Sequence, residues 1–95
     1  MITIWKFELD TERVQDIEMP AGAMILHRSL QVQHGFACVW ATCDPTAPKI
    51  KRRFWTFFTD EEIPLSPEEA FYLGTYLTNG GDIVRHVFVK RSEVK

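Results

Sequence analysis

The chain has 95 residues, two cysteines and a formal net charge of -2. That length makes a single domain over residues 1–95, because smaller pieces would bury too little core. Apolar (45%) and charged (25%) fractions exclude a disordered segment, no apolar run approaches the roughly 18 residues of a membrane span, and the acidic balance excludes a general nucleic-acid coat.

The opening Met1-Ile2-Thr3-Ile4-Trp5-Lys6 lacks a basic stretch followed by an apolar one, so no secretory signal is expected. Thr3, Trp5, Phe7 and Leu9 alternate with Ile4, Lys6 and Glu8, which predicts a half-buried strand. Gln15 to Met19 repeats the pattern, and Pro20-Ala21-Gly22 ends it. Met24 to Gln33 reads as a strand joined through a His34-Gly35 turn to Phe36–Cys43. The latter is apolar on both faces, as a central strand is. Asp44-Pro45-Thr46-Ala47-Pro48 is a loop, because its prolines cannot donate to a ladder. Arg52 to Thr59 is the most aromatic stretch, and Asp60-Glu61-Glu62 with Pro64 stops it. Ser66-Pro67-Glu68-Glu69 has the spacing of a capping box and predicts a short helix near residues 67–72. Asn79-Gly80-Gly81-Asp82 is the strongest turn signal, and it leads into a last strand over Ile83–Val89. The expected fold is all-β or β-rich α+β: about six mostly antiparallel strands in a sandwich or partly open barrel.

Catalytic and metal chemistry find little support. Cys38 and Cys43 sit on one predicted strand at an odd separation, so their thiols face opposite sides and cannot bridge there. Two buried, reduced thiols are expected, as in a reducing cytoplasm. His27, His34 and His86 have no metal-ligand spacing. No serine lies in a nucleophile elbow, and no helix follows Gly80-Gly81 to make a phosphate loop. The chain therefore reads as a protein that is not an enzyme and needs no cofactor or metal.

Binding is better supported. Lys51-Arg52-Arg53 runs into Phe54-Trp55-Thr56-Phe57-Phe58, which sets cations that grip phosphate beside rings that stack on a base. The candidate ligand-binding residues are Lys51, Arg52, Arg53, Trp55, Arg85 and His86, with Gln31 and Gln33 as hydrogen-bonding groups on a neighbouring strand. Asp60, Glu61 and Glu62 form an acidic corner that offers a second kind of surface, one facing a protein partner.

Short blocks spread over nearly the whole chain resemble a family of small, mostly uncharacterised bacteriophage and prophage domains. They are Trp5-Lys6-Phe7, Met19-Pro20-Ala21-Gly22-Ala23, Ile25-Leu26, Gln31-Val32-Gln33, Gly35, Trp40-Ala41, Asp44-Pro45, Tyr72-Leu73-Gly74-Thr75 and His86-Val87-Phe88. Two departures stand out. Phe58-Thr59-Asp60-Glu61 replaces a Gly-Thr-Gly-His-like turn, and Arg85 replaces a tryptophan. The resemblance implies a β-rich fold, a phage origin and a location in the host cytoplasm, and it implies no established activity.

The first functional expectation is an accessory, anti-defence protein that captures a small anionic ligand such as a nucleotide immune signal, at a site between subunits of a homo-oligomer. The alternative is a protein–protein inhibitor or adaptor that blocks a host defence or nucleic-acid enzyme through its acidic corner. A minor virion component is a third, plainer possibility. The twelve aromatic residues favour an oligomer, since one small core hardly buries two aromatic faces on two strands.

Overall fold

The computed structural model describes residues 1–91. Eight strands form in chain order: β1 (Thr3–Leu9), β2 (Val14–Pro20), β3 (Met24–Ile25), β4 (Gln31–Gln33), β5 (Phe36–Cys43), β6 (Lys49–Phe58), β7 (Ala70–Thr78) and β8 (Ile83–Lys90). They divide into two antiparallel sheets, neither closed into a barrel. In sheet A, β5 is central, with β1 on one edge and β3 and β4 sharing the other; sheet B runs β2-β6-β8-β7. The fold is thus a sandwich, one of the two architectures expected from the sequence, with eight strands in place of about six and only β3 and β4 shorter than the expected run.

Alternation decides which side chains meet between the sheets. On sheet A, Trp5, Phe7 and Leu9 of β1 lie opposite Ala41, Val39 and Ala37 of β5. On sheet B, Phe54 and Thr56 of β6 lie opposite Val89 and Val87 of β8. Val39, Ala41, Phe54, Val87 and Val89 are completely buried, and Met19, Leu9 and Tyr76 close the core around them. Cys43 faces this core and Cys38 the other side of β5, both as buried free thiols. Burial pushes the Cys38 thiol pKa up.

Three local features depart from the expected pattern. Met24–Gln33 is two short strands, because residues 26–30 leave the ladder and return. Leu26 N–H still donates to Trp40 C=O at 2.8 Å, and Ser29 Oγ then takes the missing strand's place, accepting from Trp40 N–H and donating to Trp40 C=O, each at 3.2 Å. The helix expected near residues 67–72 does not form. The Ser66 N–H does donate to Glu69 Oε1 at 3.0 Å, but the motif closes only one turn. β7 begins at Ala70, where pairing with Lys90 of β8 outweighs local helix propensity. The predicted Asn79-Gly80 turn does form, both residues adopting positive φ (54° and 66°).

The third departure is a partial extra layer. β8 lies between β6 and β7, so residues 59–69 must travel from the Phe58–Arg85 end of sheet B to the Ala70–Lys90 end. They do so over the sheet's outer face. Glu61 pairs with Arg13 and accepts the Phe58 N–H, while Arg91 Nε donates to Pro67 C=O at 2.7 Å. Phe57 on that outer face is consequently only 2% exposed.

Phe54→Ala is expected to cost about 3–5 kcal/mol in urea unfolding, from lost burial and a residual cavity. Phe36→Ala, at a position 55% exposed, should stay within about 0.5 kcal/mol of wild type.

Candidate functional site

The candidate ligand residues lie on three different surfaces. Alternation along β6 turns Lys51, Arg53 and Trp55 outward and Arg52 inward. Arg52 Nε donates to Lys90 C=O at 3.0 Å and its Nη1 to Ala23 C=O at 3.3 Å. This guanidinium joins β8 to the turn after β2, and burial pushes its pKa down. Arg85 also points between the sheets, where it donates to Thr78 Oγ1 at 2.9 Å and lies over the Phe58 ring. Gln31 and Gln33 lie on the outer face of sheet A, and Lys6 Nζ donates to Gln33 Oε1 at 2.9 Å. The largest group on one surface is Lys51, Arg53, Trp55 and His86, on the outer face of sheet B.

That surface is partly neutralised. Arg53 grips Asp16 with Nε and Nη2, at 2.8 and 3.1 Å, and this bonded guanidinium holds the Asp16 carboxyl below the usual carboxylate range. Lys51 lies opposite Glu18. His86 sits in a row of hydroxyls: Thr59 Oγ1 is 2.8 Å from Nε2 and Thr75 Oγ1 is 2.9 Å from Nδ1, and Thr75 in turn bonds the Tyr72 hydroxyl. Either hydroxyl can donate or accept, so the imidazole is held in any tautomer. Tyr72 is thereby fixed from its far end, and its ring meets Phe88 edge-on with centroids 5.5 Å apart. Of the acidic corner, Glu61 is engaged by Arg13 and by the Phe58 N–H, while Asp60 and Glu62 are exposed.

Tyr72 also belongs to a feature that sequence reasoning missed. Where residues 26–30 leave sheet A, they face the edge of β7 and enclose a cleft of about 470 Å³. Its lining includes His27, Arg28, Tyr72 and Thr75 over an apolar floor of Leu30, Phe71 and Leu73, and it contains no carboxylate. Three details build it. Arg28 has φ of 60°, which turns the segment back toward the ladder. A bulge at Tyr72–Gly74 bends the β7 edge. Gly74 lets Leu30 seat against the backbone, since a Cβ there would lie 2.9 Å from Leu30 Cδ2. Among the described residues neither His27 nor Arg28 forms an ion pair. The break in alternation at Ile25-Leu26, with polar residues 27–29 before Leu30, is the one sequence signal that pointed here.

Among the described residues no cluster of three or more His, Cys, Asp or Glu is arranged to hold a metal ion, and no helix is long and apolar enough to cross a membrane. Fold and cleft together define a small antiparallel β-sandwich domain with a cationic, aromatic-walled cleft along one edge. The chain belongs to the DUF7352 family, a domain of unknown function, which it matches over residues 1–95. No curated protein and no solved structure matches it.

Gly74→Val should displace Leu30 and lower stability by about 1–3 kcal/mol, an overpacking cost read from the denaturation midpoint. Asp16→Asn tests the outward pair by its pH dependence. The folded pKa of Asp16 is depressed, so its contribution exists above the ordinary carboxylate pKa and is lost as pH falls through the depressed value. The stability difference between wild type and Asp16→Asn should therefore be present at neutral pH and close in acid.

Proposed function

We propose that this domain is a phage accessory protein that acts by binding, capturing a small anionic ligand of nucleotide type in the cleft between residues 25–30 and β7. The observation that carries this reading is the cleft's lining: a guanidinium, an imidazole, a fixed tyrosine ring and a hydroxyl, with no carboxylate to repel an anion. A guanidinium takes phosphate oxygens in pairs, and a tyrosine face stacks on a base at little entropic cost. Arg28 and Tyr72 fit those roles, with His27 and Thr75 as further hydrogen-bonding groups. The volume falls within the usual range of small-molecule sites, about 300–1,000 Å³.

The resemblance to small phage and prophage domains supplies the setting: an anti-defence protein in the host cytoplasm whose ligand is an immune signal, held away from its receptor. Sequestration needs affinity and abundance rather than chemistry, which suits a domain whose polar side chains hold ring and loop positions. The site differs from the sequence expectation in place. It lies within one chain, and it uses Arg28 and Tyr72 in place of Arg52 and Arg85.

Calorimetric titration with cyclic dinucleotides, ADP-ribose-type compounds and mononucleotides tests the reading. At least one should bind saturably, weaken about tenfold or more in Arg28→Ala, which is about 1.4 kcal/mol, and stay within about twofold in Lys51→Ala. Absence of binding by every compound overturns it.

One observation keeps the protein–protein alternative in view. Glu61 is tied down by Arg13 and the Phe58 N–H, so the exposed Asp60 and Glu62 are displayed on a loop held in place. That reading requires a stoichiometric protein partner whose capture is lost in the double variant Asp60→Lys, Glu62→Lys.

A further inference from the structure

Among the described residues four sheet edges end in unpaired backbone: β1 and the β3/β4 pair in sheet A, β2 and β7 in sheet B. Such edges are templates for another strand unless something blocks them. The β3/β4 edge is blocked by its own interruption, being two residues, an excursion and three residues. β7 is bulged at Tyr72–Gly74 and faces the segment that forms the cleft. β2 presents Asp16 and Glu18 on one face and ends at Pro20, which has no N–H. A second β2 set antiparallel about Ile17 would place Asp16 against Glu18, a like-charge pair.

β1 differs on each count. It is seven residues of regular alternation with no bulge, glycine or proline. Its outward face carries Lys6 and Glu8, and among the described residues neither is in an ion pair. Lys6 makes a single hydrogen bond, to Gln33. Its inward face carries Trp5 and Phe7, both left half-buried beside the open edge. Two residues apart on one face, opposite charges are self-complementary under a two-fold axis through the residue between them.

We propose that β1 pairs antiparallel with β1 of a second copy about a two-fold axis at Phe7, joining two copies of sheet A into one continuous eight-stranded sheet. Lys6 then lies opposite Glu8 of the partner subunit, and the same pair recurs across the axis, giving two complementary contacts from one register. On the inward face Trp5 meets Leu9 of the partner subunit and the two Phe7 rings come together, which covers aromatic surface a single sandwich leaves open. A slip by one residue would break both charge pairs and turn the inward aromatics outward, so the pattern selects the register as well as the partner. β1 lies on the edge of sheet A opposite the cleft, so this pairing leaves both clefts open and does not depend on the ligand reading.

Sedimentation velocity across a concentration series tests the proposal. Wild type should self-associate to a dimer. Lys6→Glu sets carboxylate against carboxylate twice and Glu8→Lys sets ammonium against ammonium twice, so each should weaken self-association by at least about tenfold. An equimolar mixture of the two variants should form a heterodimer. The two carboxylates of one copy then face the two ammonium groups of the other, and both variants must be folded to associate. A monomeric wild type at every concentration overturns the proposal. So does a dimer indifferent to either single substitution, or a mixture that fails to associate.

Discussion

The order of strands in sheet B is the constraint on which much of the structure depends. Because β8 lies between β6 and β7, the chain cannot turn directly from one into the other. Residues 59–69 must run lengthwise over the sheet, and the outer face beneath them must be apolar enough to hold them there. Phe57 and Phe88 meet edge to face at 5.9 Å under this segment, with Arg13 over the Phe57 ring at 5.8 Å. Glu61 and Arg91 tie its two ends, one through Arg13 and the Phe58 N–H and the other through Pro67 C=O. The same crossing brings the chain into β7 beside the excursion of sheet A, so the topology that adds a partial third layer also makes one wall of the cleft.

This accounts for part of the aromatic content. β6 has Phe54 in the core, Phe57 under the crossing segment, Trp55 half-buried beside Phe88, and Phe58 at the end under Arg85. One strand thus serves an inner and an outer layer, which a two-layer view does not provide. The two inward cations differ: Arg85 bonds Thr78 through Nη1 but leaves its buried Nε without a partner among the described residues. Arg52 is buried, and its guanidinium donates to two carbonyls, those of Lys90 and Ala23, so its removal would take both bonds from the interior.

The sequence was informative wherever a pattern was local. Alternation in Thr3–Leu9 gave the faces of β1, the two-sided apolar run gave β5 its central place, and Asn79-Gly80 gave the last turn. The helix near 67–72 failed because Ser66 and Glu69 make the same contact in a single turn as at a helix start. The conformation from Ala70 onward is decided by β8, which lies later in the chain. The site was harder to see. Alternation does separate Arg52 from Lys51 and Arg53, but the carbonyls that engage it belong to Ala23 and Lys90. His27 and Arg28 face Tyr72 and Thr75 only after both sheets have formed. No spacing within either segment signals that meeting.

Ser29 has a further consequence. Its side chain accepts the Trp40 N–H and joins the Leu26 N–H at the Trp40 C=O, so the ladder is sealed as the backbone leaves it. Leu30 anchors the return against Gly74. The side chains at positions 27 and 28, just ahead of these two fixed points, therefore carry no structural duty. Exchanging either side chain therefore reshapes the lining of the cleft while the two anchors on each side of the return stay in place, with position 28 restricted to residues that accept its positive φ.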